Sequence, residues 1–161
     1  MFASSVSATT ARDGAETPPG QSPETGRGQR SVSSPDQVPD LVCAVLSAMT
    51  RLDYGPADLF AVRMALEEAA VNAVTHGHRG DPSKQARVCW GITPAAVKLV
   101  VRDEGPGFDP AQVPDPRLPE NQDRPCGRGL LLIHAYMSRV RFNRRGNCIA
   151  MSRSCGKPTG N

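Results

Sequence analysis

The sequence predicts an α+β fold, a two-layer sandwich in which helices lie on one face of a mixed, mostly antiparallel sheet. Two observations support this prediction. Apolar residues recur at helical spacing in three segments, and period-2 runs occur in pairs joined by short turns. Helices that are segregated from a mostly antiparallel sheet make a two-layer sandwich.

Length and composition narrow the class of protein. A chain of 161 residues has room for one domain. Its net charge of +3 is too small to indicate a basic face for nucleic acid, and no apolar run approaches the ~20 residues that cross a bilayer. The first residues do not follow the basic-then-apolar pattern of a signal segment, so none is expected, and the five cysteines form no close C-x-x-C pair. We therefore expect a soluble cytoplasmic protein without direct nucleic-acid contacts, membrane contacts or zinc.

Three regions differ in composition. Residues 1–29 are rich in Ser, Thr, Pro, Gly and Gln, and they carry too few apolar side chains to offset the entropy of ordering. We predict that they form a disordered tail, that residues 30–153 form the domain, and that residues 154–161 form a C-terminal tail. Within the domain, residues 109–126 lack periodicity and are rich in proline, which is typical of a functional loop.

The first helix is predicted after a short strand near residues 29–33. Asp36 is suited to cap its N-terminus, and Pro39 falls at the third helical position, where a missing N–H costs nothing. The helix is expected to end between Asp53 and Gly55. Its apolar face comprises Leu41, Val42, Val45, Leu46 and Met49.

A second helix is predicted from Ala57 to His76, with Gly77 as the left-handed residue that ends it. Its predicted buried side comprises Leu59, Phe60, Val62, Met64, Leu66, Ala69 and Ala73. A third helix is predicted from Leu130 to Met137. One hairpin precedes it, with strands at 87–92 and 97–101, and another follows it, with strands at 140–142 and 148–152.

Glu68 and Asn72 are the first candidate site residues. They are four positions apart on the second helix, so they lie on nearly the same side of it, one turn apart, close enough to share a ligand. The alternative interpretation is a solvated helix edge. Glu67 lies about 100° further round the helix and is expected to be structural or exposed to solvent.

Asp103 is the second candidate. The period of two places it on the same face as Val97, Leu99 and Val101, so it is expected to point between sheet and helices. A carboxylate there needs hydrogen-bond donors, and the amino group of a purine is one. Gly105 and Gly107 would let the backbone approach a flat ring. The alternative is an ordinary Gly-Pro turn.

Gly127, Arg128 and Gly129 open the third helix. Unpaired N–H groups at a helix start, together with the positive end of the helix dipole, hold phosphate oxygens. The histidines near the end of the second helix, His76 and His78, have no third ligand nearby. We therefore expect each histidine to be a helix-terminal cation or a hydrogen-bonded polar residue rather than a metal ligand.

Three segments resemble, in order and spacing, the N, G1 and G2 boxes of the GHKL ATPase superfamily, which has the Bergerat fold of gyrase, Hsp90, histidine kinases and MutL. The segments are EEAAVNAVTHG (67–77), DEGPGFD (103–109) and GRGLLLI (127–133). The resemblance covers residues 30–153. Within the superfamily, the form of the first box and the small size are similar to the bacterial anti-sigma factor serine kinases of the RsbW type.

The resemblance implies a role for each matching residue. Glu68 would be the general base, and Asn72 would coordinate a Mg²⁺ that bridges the phosphates of ATP. Asp103 would bind the adenine amino group, and Gly105 and Gly107 would form the floor of the adenine pocket. Residues 109–126 would form a lid over the phosphates. The residues that would cradle the phosphates beneath it are Gly127, Arg128, Gly129, Leu130 and Leu131. The lid arginines Arg117 and Arg124, with Arg128, would steady the γ-phosphate.

The resemblance also implies partners. Members of the family phosphorylate a serine on a small anti-anti-sigma protein, sequester an RNA polymerase sigma factor, and usually form homodimers. We therefore expect an ATP-dependent protein-serine/threonine kinase that regulates transcription. One alternative is a binding module that uses nucleotide only to set the conformation that grips its partner. Another is a detached ATPase domain that hydrolyses ATP by itself.

Overall fold

Five antiparallel strands and three helices make up the part of the chain that a computed structural model describes, residues 26–79, 81–109, 112 and 128–155. The strands are β1 (Gly26–Val32), β2 (Ala86–Thr93), β3 (Ala96–Arg102), β4 (Arg139–Phe142) and β5 (Cys148–Ser154), in the sheet order β1-β2-β3-β5-β4. The helices are α1 (Val38–Thr50), α2 (Pro56–Asn72) and α3 (Arg128–Tyr136). The predicted α+β sandwich is confirmed.

The core lies between the helices and one face of the sheet, which we call the inner face. Along β3, Val97, Leu99 and Val101 are buried while Lys98 and Val100 are exposed, as expected for a strand with one covered face. α1 packs on β1 and β2, whereas α2 packs on β3 and β5 and also contacts α3. The other buried inner-face residues are Val32, Ala86, Val88, Ile92, Ile149 and Met151.

The two predicted hairpins are confirmed. β2 and β3 pair from Thr93 with Ala96 to Arg87 with Arg102, and β4 pairs with β5. The first strand begins earlier than we predicted. β1 starts at Gly26, so residues 26–29, which we assigned to the tail, are part of the sheet and pair with β2. Residues 1–25 and 156–161 and most of the predicted lid, including Arg117 and Arg124, lie outside the described residues.

The start of α1 corrects our capping prediction. Asp36 is not an N-cap, because residues Pro35–Gln37 form a 3-10 turn and α1 begins only at Val38. Gln37 accepts a hydrogen bond from the backbone N–H of Ser33 at 2.7 Å, which steadies the turn instead. At the other end, α1 stops at Thr50, before the predicted range, and Asp53 adopts a left-handed conformation with a φ of 56°.

The buried side of α2 differs from the prediction at Phe60. Its side chain is 54% exposed and touches the ring of Tyr136 edge-on, with 5.6 Å between the centroids. Ala61 and Ala65 are buried instead. Small residues let α2 approach its neighbours closely, so the helix turns its alanines inward and leaves the large ring at the edge.

The end of α2 is wider than an α-helix. Residues Ala73–Gly77 form a π-helical turn, in which the backbone N–H of His78 reaches the carbonyl oxygen of Ala73 at 3.2 Å. Gly77 is therefore not the left-handed residue we predicted. That conformation falls two positions later, at Arg79, with a φ of 52°. π-turns of this kind frequently occur at functional sites.

Candidate functional site

A cleft of about 460 Å³ lies between α2, the π-turn, the end of β3 and the turn from β4 to β5. This volume is within the range of ~300–1,000 Å³ that is typical of small-ligand sites. Six predicted site residues line it: Glu68, Asn72, Asp103, Gly107, Gly129 and Leu130. The structure therefore brings together predicted site residues from three separate segments of the chain, from Glu68 to Leu130.

Glu68 and Asn72 meet the start of α3 at one end of the cleft. Gly129 is packed so closely that a methyl group in place of its hydrogen would collide with a carboxylate oxygen of Glu68 and come within 3.3 Å of the Asn72 amide nitrogen. Both side chains are partly exposed. The carboxylate, the carboxamide and the N-terminal turn of a helix thus face one space. Such a turn suits an anionic group.

Asp103 is held at the other end of the cleft by its backbone. Its N–H donates to the carbonyl oxygen of Asn147 at 3.0 Å, and the Asn147 amide donates back to the Asp103 carbonyl oxygen at 3.1 Å. The Oδ1 atom of Asp103 accepts the N–H of Gly105 at 2.7 Å. Within the described residues, Oδ2 accepts no hydrogen bond. One carboxylate oxygen therefore remains available to a donor on a ligand.

Two glycines pack against Asp103 and leave no space for a side chain. A Cβ at Gly77 would lie 2.5 Å from the Asp103 carboxyl carbon, and a Cβ at Gly105 would overlap the carbonyl oxygen of Gly77. Gly107 has a positive φ of 81°, which side-chain-bearing residues rarely adopt. The turn after β3 is therefore a close-packed support for Asp103 rather than an ordinary Gly-Pro turn.

Apolar side chains complete the cleft wall. Phe108 and Phe142 touch edge to face at 5.6 Å between ring centroids, and Val101 and Ile149 extend the wall from the sheet. A flat apolar ring system would find dispersion contacts there, with the Asp103 carboxylate as a polar anchor.

The predicted site residues Gly105 and Arg128 do not line the cleft. Gly105 supports Asp103 from behind, as its hydrogen bond shows. Arg128 is exposed at the start of α3. Gly127 lies outside the described residues.

Asn147 is the site residue that sequence reasoning missed. It belongs to the turn between β4 and β5, where an Asn predicts only a turn. Its place is fixed by Asn143, whose Oδ1 accepts the Asn147 backbone N–H at 3.1 Å and whose amide donates to the Asn147 side chain at 2.8 Å. The paired asparagines, four positions apart, were the available signal.

The two histidines of the π-turn region behave differently. His76 lines the cleft, whereas His78 is 1% exposed and its ring nitrogens have no hydrogen-bond partner among the described residues. The prediction of a hydrogen-bonded polar residue is therefore wrong for His78. The described residues contain no cluster of three or more His, Cys, Asp or Glu side chains that would hold a metal ion. They also contain no helix long and apolar enough to cross a membrane.

Comparison with known proteins identifies the family to which this chain belongs. Residues 32–153 match the family model described as a histidine kinase-like ATPase domain. The chain is 27% identical over 128 residues to serine-protein kinase RsbW of Bacillus subtilis, covering 75% of this chain and 80% of the relative. It is 29% identical over 99 residues to the anti-sigma F factor of Bacillus cytotoxicus, covering 60% of this chain and 67% of the relative.

A solved structure shares the fold. The RsbU and RsbW domains of Rv1364c from Mycobacterium tuberculosis align with a TM-score of 0.53 at 16% identity, over 80% of this chain and 32% of that one. This chain thus spans about a third of that protein. The matched region includes all the cleft residues named above, and an ATPase domain implies ATP binding. The chain therefore belongs to the histidine kinase-like ATPase domain family, as a GHKL-type ATPase of the RsbW kind.

Proposed function

We propose that this protein is an ATP-dependent protein-serine/threonine kinase of the cytoplasm that phosphorylates a small anti-anti-sigma protein and sequesters a sigma factor. One observation carries the proposal. The Glu68 carboxylate, the Asn72 carboxamide and the Asp103 carboxylate line one cleft, in a chain of this ATPase family. The names of the relatives, serine-protein kinase and anti-sigma factor, support the two halves of the activity.

The cleft fits a nucleotide. Asp103 has a carboxylate oxygen free to accept from the adenine amino group, and Phe108 and Phe142 offer the base an apolar wall. Asn72 would hold Mg²⁺ through its carboxamide oxygen, since this ion takes few protein ligands and keeps several waters. Bound ATP and Mg²⁺ would supply a phosphoryl group whose negative charge the metal partly neutralises. Gly129, at the start of α3, lies against Glu68 and Asn72, and the N–H groups of a helix start suit phosphate oxygens.

Glu68 is the proposed general base. As the hydroxyl oxygen of the substrate bonds to phosphorus, and the bond between phosphorus and the ADP oxygen breaks, Glu68 accepts the hydroxyl proton. Glu67 is not the proposed base because it does not line the nucleotide cleft and pairs with Arg63 at 3.8 Å on the exposed side of α2. The neighbouring carboxylates therefore differ in function.

A protein substrate has a route to Glu68. On the outer side of α2, a shallow hollow is lined by Phe60, Arg63, Met64, Glu67, Glu68 and Val71. Glu68 lines both this hollow and the nucleotide cleft. A side chain that enters from the protein surface would therefore meet Glu68 on the side opposite the nucleotide.

The experiment is a phosphotransfer assay with a matched pair of variants. The full chain is incubated with Mg²⁺, ATP labelled in the γ-phosphate, and purified small anti-anti-sigma proteins from the same genome. We expect label on one of them. Glu68→Gln should lower the transfer rate by ~10²-fold or more, the range for a general base, while nucleotide affinity stays within about threefold. Glu67→Gln should retain the transfer rate.

Other outcomes would replace the proposal. Loss of nucleotide binding in Glu68→Gln would show that Glu68 is not the base. Binding of nucleotide without label transfer to any candidate would favour the nucleotide-gated binding module. Steady phosphate release in the absence of any partner would favour a detached ATPase. A sigma factor that fails to co-elute with the protein in the presence of ATP would contradict sequestration, and sedimentation would test the homodimer that the family resemblance implies.

A further inference from the structure

The sheet has an outer face that the helices do not cover, and it is strongly basic. Residues that pair across antiparallel strands lie on the same face, so the register defines this surface. Six cations lie on it, all exposed: Arg27, Arg87, Lys98, Arg102, Arg139 and Arg141. The five strands contain no Asp or Glu. The small net charge of the chain therefore conceals a separation of charge, which our sequence prediction missed.

The cations border a stripe of small and apolar residues. One row across the sheet runs through Gln29, Cys89, Val100, Ala150 and Arg141. Val100, at its centre, is 38% exposed. The row on one side contains Arg27, Lys98 and Arg139, and the row on the other contains Arg87 and Arg102. A desolvated centre with a polar rim is the usual anatomy of a protein interface.

The charges on this face are not balanced within the described residues. None of the six cations forms an ion pair there. Arg87 and Arg102 are direct cross-strand partners, an arrangement in which like charges repel. Solubility alone does not require two arginines to face each other across strands. An acidic surface that covers them would relieve the repulsion between their charges.

We propose that the outer face of the sheet docks an acidic surface of a partner protein, apart from the nucleotide cleft on the helical side. A second copy of this chain does not fit, because the face would bring six cations against six. Nucleic acid fits less well than protein. The outer face has no aromatic side chain on which a base would stack, and its centre is apolar. The partner therefore presents carboxylates around a small apolar patch.

The expected complex is weak and sensitive to salt. Five strands spaced ~4.8 Å apart span ~19 Å, and four residues along a strand span ~13 Å, so the face is smaller than a standard protein interface. Exposed ion pairs are screened within ~8 Å at physiological ionic strength. Such a face would speed encounter with its partner rather than supply most of the affinity.

The test uses the full chain, labelled with ¹⁵N, and poly-L-glutamate of about 20 residues as the acidic probe. We expect chemical-shift changes at outer-face amides such as Lys98, Val100 and Ala150, and not at Asn72 or Gly129. The double variant Lys98→Glu/Arg102→Glu should weaken binding at least tenfold at low salt. The control Arg51→Glu/Arg144→Glu has the same charge change away from this face and should bind as the wild type does.

Three results would overturn the proposal. The first is absence of binding by the wild type, or shift changes outside the outer face. The second is an equal loss of affinity in the control variant, which would show that only net charge matters. The third is tighter binding of single-stranded RNA or duplex DNA of the same charge through the same residues, which would assign the face to nucleic acid. Both double variants replace exposed side chains that form no ion pair with another described residue, so an unchanged melting curve verifies that they fold.

Discussion

Asp103 and Asn147 hold each other by two hydrogen bonds, one between their backbones at 3.0 Å and one from the Asn147 amide to the Asp103 carbonyl oxygen at 3.1 Å. Asn147 therefore fixes the proposed adenine anchor without being adjacent to it in sequence. Asn147→Ala should weaken binding of adenine nucleotides by about fivefold, since one positioning hydrogen bond contributes ~1 kcal/mol. Calorimetry with Mg²⁺ and ATP checks this. Gln37→Ala, which removes a distant exposed hydrogen bond, should leave the affinity unchanged.

Gly77→Ala should damage the nucleotide site through a collision. The added methyl group would lie 2.5 Å from the Asp103 carboxyl carbon, so the carboxylate must move away from the base. We expect at least a tenfold loss of nucleotide affinity. Gly91→Ala provides the control, because a methyl group there meets no atom within 4 Å. Equal affinities in the two variants would show that the position of Asp103 does not matter for binding.

The ion pair between Asp58 and Arg153 should stabilise the fold. Their side chains are 2.6 Å apart and 12% and 24% exposed, and Arg153 also donates to the carbonyl oxygen of Tyr136 at 2.6 Å. Arg153→Ala should lower the free energy of unfolding by about 2–3 kcal/mol, less than the ~3–5 kcal/mol for a fully buried pair. Denaturant unfolding measures this difference.

The exposed pair of Arg63 and Glu67 serves as the comparison. These side chains are 3.8 Å apart and at least 49% exposed. Arg63→Ala should cost less than ~1 kcal/mol, the upper range for surface pairs. A similar loss of stability in Arg63→Ala and Arg153→Ala would contradict the assigned difference in burial.

Tyr54 should make the fold lose stability in alkali. Burial raises the pKa of Tyr54 to about 12, with smaller contributions from Cys155 and Asp58, and its hydroxyl donates to the Thr93 carbonyl oxygen at 2.6 Å. The unfolded chain releases this proton near pH 10, so the contribution is complete below pH 10 and is lost as the pH rises from 10 to 12. Urea midpoints over this range should fall more steeply for the wild type than for Tyr54→Phe. Parallel slopes would show that other groups account for the loss.

Phe60 should affect the protein substrate and not the nucleotide. It is 54% exposed and lines the hollow that shares Glu68 with the cleft. Phe60→Ala should raise the KM for the protein substrate severalfold, with nucleotide affinity unchanged. Cys43→Ser, an exposed change on α1, is the control. An unchanged KM in Phe60→Ala would remove the hollow from the substrate route.

Periodicity predicted those parts of the fold that one buried face determines. β3 alternates between buried and exposed residues, and β2 buries Ala86, Val88 and Ile92 at the same period, so their hairpin and the side on which Asp103 lies followed from the sequence. Tertiary packing decided the rest. Hydrophobicity alone favoured burial of Phe60, whereas the close approach of α2 to its neighbours selected Ala61 and Ala65.

The candidate site was predictable where a motif and a spacing agreed. Glu68, Asn72, Asp103 and Gly129 were found in this way and share a cleft. Gly77 was predicted as the left-handed residue that ends α2, and this prediction was wrong. Its close contact with Asp103 depends on a π-turn that no sequence pattern indicated. Asn147 was missed because its bond to Asp103 spans 44 positions and depends on the strand order.

The strand order also determines which backbone groups face outward. In the order β1-β2-β3-β5-β4, β1 and β4 are the edges of the described sheet, and an edge with free N–H and C=O groups invites another chain to add as a strand. β4 has only four residues and carries Arg139 and Arg141, and β1 carries Arg27 and Arg30. Short length and like charge discourage such growth. The same arginines therefore protect the protein against fibre-like aggregation, a liability that neutral substitutions there would expose.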